Sequence, residues 1–169
     1  CRLIRAAAAH RGPAASLVHA FKFRGSPSAA RAAGGLLAKA VALYSELSGF
    51  DALVPVPLHP RRERERGYNQ AELLARELGA ASGLPLQGLL ERRLGSRPTW
   101  SLRRTERRTE LSGAFSVRAG GPSAEGKRLI LIDDVCASAT TLEECALALR
   151  RAGAADVAAA VFTRAGRFT

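Results

Sequence analysis

The sequence predicts an α/β fold, a single doubly wound domain built on a mainly parallel sheet. Three observations lead there. Short apolar runs alternate along the chain with helical stretches, the order of strand–helix–strand units. The strongest run, Leu129-Ile130-Leu131-Ile132, ends abruptly in the charged pair Asp133-Asp134. A length of 169 residues favours one domain, over residues 1–169, with a core of ordinary size.

The elements follow in order. Residues 13–24 place Leu17, Phe21 and Arg24 on one helical face, and Gly25 and Pro27 end the segment. Residues 29–47 read as a long Ala-rich helix. Asp51 to Leu58 is an apolar run with two prolines, which predicts a buried strand ending at Pro55. A charged loop is expected at 61–66, then a helix over 68–81 with Leu73, Leu74 and Leu78 turned inward. Leu84 to Leu90 reads as a strand. The Arg-dense stretch 91–112 reads as a mobile loop, followed by a short strand at Ala114 to Val117 and a turn at 119–126. After the run at 129–132, a helix over 141–152 is closed by Gly153, and Asp156 to Phe162 forms a last strand.

Composition narrows the function classes. Hydrophobic residues make up 47% and aromatic residues 5%, so the core rests on Ala, Val, Leu and Ile, and disorder is excluded for the bulk of the chain. The formal net charge is +11. A GC-rich genome accounts for the preference for Arg over Lys. It does not account for the surplus of bases over acids, which points to a polyanionic partner. Cys1, Cys136 and Cys145 form no metal-ligand spacing, and an odd count without a framework fits a reducing, cytoplasmic setting. No apolar run reaches the length of a membrane span, so membrane insertion is not expected. With no methionine in the chain, an upstream segment is expected.

The chemistry concentrates at residues 129–144. Ligands of open parallel sheets bind beyond the carboxyl ends of the strands, and Asp133 and Asp134 are expected at such an end. Two adjacent carboxylates repel each other unless a cation or hydroxyl donors accept them. Ala137, Ser138, Ala139, Thr140 and Thr141 then lead into a helix N-terminus, where amides, hydroxyls and the helix dipole make an anion cradle. One ligand with hydroxyls and a phosphate satisfies both halves, and a ribose 5-phosphate is the economical choice. The competing reading is that Thr140 and Thr141 cap the helix, with Glu143 and Glu144 completing capping boxes. Capping leaves the acidic pair unexplained.

Leu129 to Glu144 resembles the PRPP-binding signature of type I phosphoribosyltransferases. Three further stretches resemble the ComF competence family: His19 to Gly25, Val54 to Ala75 and Leu102 to Phe115. The resemblance implies a type I phosphoribosyltransferase fold in which Asp133 and Asp134 contact the ribose hydroxyls as the catalytic pair. Residues 137–141 would hold the 5-phosphate, and Pro55, Val56 and Pro57 would form the pyrophosphate loop. A magnesium ion carried mainly by PRPP would complete the site, with no protein metal ligand assigned. Against the family pattern, Ala137 and Ser138 replace threonines and Ala139 replaces a glycine, which would strain a position needing positive φ.

The ComF resemblance also implies a role in natural transformation, with single-stranded DNA and proteins of the competence machinery as partners. Arg66, Asn69, Trp100, Arg103, Arg104, Arg107 and Arg108 are the candidates to contact DNA or pyrophosphate, Trp100 by stacking on a base or by packing. An upstream zinc module is common in the family, and Cys1 is either its last remnant or unrelated to it. Three functions stay open: a transferase working by positioning and charge stabilisation, a PRPP-dependent regulator without catalysis, and a DNA-handling platform.

Overall fold

The computed structural model describes residues 1–93 and 111–166. Its sheet has four parallel strands in the order β1 (Ile4–Ala9), β6 (Asp156–Arg164), β5 (Arg128–Cys136), β2 (Ala52–Pro55). The α/β class and the mainly parallel sheet are as expected. Because side chains alternate along a strand, each strand feeds two separate cores. On one face Leu53, Ile130, Ile132, Ala158, Ala160 and Phe162 pack under helices α1 (Gly12–Phe23), α2 (Pro27–Ala42) and α4 (Gln70–Ser82). On the other, Val54, Leu129, Leu131, Val157, Ala159 and Val161 pack under α5 (Thr140–Arg151) and the antiparallel ribbon β3–β4 (Leu90–Arg92, Phe115–Val117). The central strand β6 is buried from Val157 to Thr163, which its small apolar residues permit.

This layering positions the site. After β5 the chain turns to α5 on one face. After β2 it passes through α3 (Pro60–Arg66) to α4 on the other. The gap between the carboxyl ends of β2 and β5 is therefore a topological switch point, where open α/β sheets form crevices.

Several boundaries differ from expectation. Strand β1 was not anticipated, since its sequence IRAAAA favours a helix by propensity. It is held by pairing Ile4 to Ala9 along β6, where small side chains fit the register. Residues 60–66 are helical rather than a loop. His59 Nδ1 accepts from the Arg61 amide at 3.2 Å, Pro60 opens the helix, and Gly67 at φ 80° ends it. It buries no residue, so no apolar stripe announced it. Helix α2 stops at Ala42 and a 3₁₀ turn follows at Ser45–Leu47. Of residues 84–89, only Leu86 bridges the sheet, opposite Leu53. Strand β5 continues past the acidic pair to Cys136, because β6 keeps pairing with it as far as Arg164. Among the described residues no helix is long and apolar enough to cross a membrane.

Candidate functional site

Asp133 and Asp134 sit near the carboxyl end of β5 and, as strand neighbours, face opposite layers. Asp134 is buried on the α1 side, where Lys22 Nζ meets its Oδ1 at 2.9 Å. Lys22 is brought there by the last turn of α1, which Phe21, wholly buried beside it in sequence, anchors to the core. Asp133 faces the α5 layer, and its Oδ1 accepts the Asp134 amide at 2.8 Å. Burial first, and the Asp134 carboxylate second, push its carboxyl up to about 7. Lys22 and that amide act in the opposite direction and do not overcome them. The pair is thus unequal: one carboxylate carries its own cation, and the other is poised between charged and neutral.

The loop beyond β5 leads into α5 without a side-chain cap. Its N-cap is Ala139, at φ −70° and ψ −7° with no capping hydrogen bond. Thr140 and Thr141 lie inside the first turn, and Glu144 Oε2 accepts the Gly113 amide at 3.1 Å. The capping-box reading is therefore not what the chain builds. Backbone strain at Ala139 is also absent, and no non-glycine residue has positive φ among the described residues. Ser138 Oγ reaches Thr140 Oγ1 at 3.4 Å, so two hydroxyls cluster at the start of the helix.

Residues 55–57, the expected pyrophosphate loop, continue directly from the end of β2. Pro55 and Pro57 have no N–H, and the Val56 amide donates to Ile132 O at 2.9 Å, extending the sheet. Asn69, expected as a ligand contact, is used by the fold at both ends of its amide. Its Nδ2 donates to Val56 O at 3.0 Å, while Oδ1 accepts from the Ala71 amide at 3.0 Å and caps α4. Arg66 Nη1 donates to Gln70 Oε1 at 3.0 Å, and its guanidinium lies 5.5 Å from the Phe23 ring. Tyr68 donates its hydroxyl proton to Phe21 O. Residues 19–25 and residues 66–70, two of the segments that carry the resemblance, thus meet through the Tyr68–Phe21 and Arg66–Phe23 contacts.

Trp100, Arg103, Arg104, Arg107 and Arg108 lie outside the described residues. Sequence reasoning missed Lys22. A signal was available: it is one of only three lysines, Lys22, Lys39 and Lys127, in a chain otherwise furnished with arginine.

Comparison with known proteins agrees with this architecture. The phosphoribosyl transferase domain matches residues 65–167. Competence protein F of Haemophilus influenzae is 32% identical over 149 residues, covering 86% of this chain and 65% of that protein. DNA utilization protein YhgH of Escherichia coli K12 is 32% identical over 151 residues, covering 86% and 64%. Competence protein ComFC of Bacillus subtilis is 40% identical over 103 residues, covering 61% and 40%. The chain thus spans less than two thirds of the length of these relatives. Among solved structures, glutamine PRPP amidotransferase from B. subtilis, complexed with ADP and GMP, shares the fold at TM-score 0.52 and 23% identity over 80% of this chain and 26% of that one. The chain belongs to the phosphoribosyl transferase domain family. Within that fold it is a protein of the ComF type.

Proposed function

We propose that this protein binds a 5-phosphorylated ribose, as PRPP with magnesium, at the carboxyl end of β5, and that it serves DNA uptake in the cytoplasm by handling single-stranded DNA. The observation that carries the first half is the juxtaposition of Asp133 with a helix whose first-turn amides have no side-chain cap. In this reading the amides of 137–141 and the hydroxyls of Ser138, Thr140 and Thr141 hold the phosphate. Asp133 accepts the ribose hydroxyls, and Asp134, matched by Lys22, orients the strand end.

Magnesium fits the charge at this point. A carboxyl pushed up to about 7 by burial and by a neighbouring carboxylate, with one lysine close by, gains from a further cation with oxygen ligands. When bound with PRPP, the ion would neutralise the pyrophosphate, while the residues named above bind and orient the sugar.

The DNA half is supported by the relatives' names and by charge. The surplus of +11 falls entirely within residues 1–127, since the remainder balances at zero. Arg24, Arg31, Arg61 and Arg64 are exposed in that part. Proteins of the competence machinery are the partners this role implies. The test is calorimetric titration with PRPP and magnesium, followed by a product assay over nucleobases. Binding with turnover makes the protein a transferase, and binding alone makes it a regulator. Absence of binding overturns the ribose assignment and leaves the DNA platform.

A further inference from the structure

Phe23 is out of place on an ordinary protein surface. It exposes 68% of its area, although the chain is poor in aromatic residues and buries Phe21, two positions earlier, completely. Helical geometry explains the contrast: two residues turn the helix by roughly 200°, so burying Phe21 points Phe23 outward. The ring does not stand alone. His19 packs beside it at 5.0 Å between centroids, tilted by 39°, and the Arg66 guanidinium lies 5.5 Å from its centre. Arg66 is in turn held by Gln70 across the α3–α4 corner, and exposed Arg24 follows directly in the chain. Leu36, Leu43 and Leu147 are also exposed, but they are aliphatic and present no π face.

An open aromatic ring beside a fixed guanidinium, on the positively charged part of the chain, combines the two features that hold unpaired bases: stacking and cation attraction to the backbone. We infer that Phe23, with His19 and Arg66 at its sides, is a stacking platform for a base of single-stranded DNA. The platform rests on the DNA-handling reading above. It adds to that reading a contact to the bases, adjacent in sequence to the lysine that pairs with Asp134.

Anisotropy titration of a labelled oligothymidylate, over a series of salt concentrations, tests the idea. Phe23→Leu keeps an apolar side chain at an exposed position and should fold as the wild type does, with the same melting temperature. It should bind about tenfold more weakly, with an unchanged salt slope, because stacking releases few counter-ions. Phe23→Tyr, which keeps the ring, should bind within about twofold of wild type. An abasic oligonucleotide of the same length carries the phosphates without the bases and should bind wild type and Phe23→Leu equally. If Phe23→Leu binds oligothymidylate as tightly as wild type does, the platform is wrong and the DNA reading stands. If the wild type binds no DNA even at low salt, the DNA reading falls and the platform with it.

Discussion

Asp133 and Asp134 are adjacent in the chain, yet replacing each by Asn should have opposite effects on stability. Asp134→Asn leaves the partly buried Lys22 ammonium without its carboxylate. The loss should be about 1–2 kcal/mol in denaturant unfolding, less than for a fully buried pair because Lys22 retains some contact with water. Asp133 behaves differently. Its carboxyl titrates near 7 in the folded protein, whereas in the unfolded chain it titrates about 3 units lower. Between those values the folded state keeps a proton that the unfolded state has released, so this residue's contribution to stability falls as pH rises through the window. Asp133→Asn removes that dependence and can still accept the Asp134 amide. The stability difference in favour of the variant should be small near pH 4, grow with pH, and level off above pH 7. A flat difference would mean that Asp133 ionises normally. At Ala139, which sits at φ −70°, exchange for glycine relieves no strain. If the site binds PRPP as proposed, affinity should stay within about twofold, and a severalfold gain would show that binding draws this residue into the left-handed region.

At the scale of elements, the corner between α3 and α4 does the positioning. Asn69 both caps α4 and ties it to the end of β2. Asn69→Ala should cost about 1–2 kcal/mol in unfolding free energy, from the lost cap and the lost bond to Val56 O. Asn69→Asp keeps the acceptor for the Ala71 amide and should recover part of the loss; equal losses would place the whole effect in the Val56 contact. The close approach of α2 to α4 has a separate cause. A Cβ on Gly34 would lie 2.5 Å from Glu77 Cβ, so only glycine lets the two helices pack at this distance.

Over the whole molecule, charge is divided as chemistry is divided. The acidic pair and the loop that follows it lie in the electrically balanced end of the chain, and the basic surplus lies before them. If that surplus binds single-stranded DNA, replacing Arg103, Arg104, Arg107 and Arg108 with Ala should weaken binding across sequences. The log–log salt dependence should flatten by about three units, at about 0.7 per phosphate contact. An unchanged slope would remove these four residues from the DNA contact and leave the exposed arginines of α1 to α3 to carry it.

The strand, acidic pair, small-residue loop and helix at 129–151 were legible in the chain because each is encoded locally, by an apolar run, an abrupt charge and helix periodicity. The alternation that implies a parallel sheet was legible for the same reason. Strand β1 was not, since Ala-rich residues take extended form only where a neighbour such as β6 offers its edge. Helix α3 was not, because a helix with no buried face leaves no periodic signal. Nor could the chain alone show that Lys22 closes on Asp134, or that Asn69 bonds to Val56 O. Those pairings join segments distant in sequence. They follow from the layering that sends α1 and α4 to one face of the sheet and α5 to the other, which only the assembled packing decides.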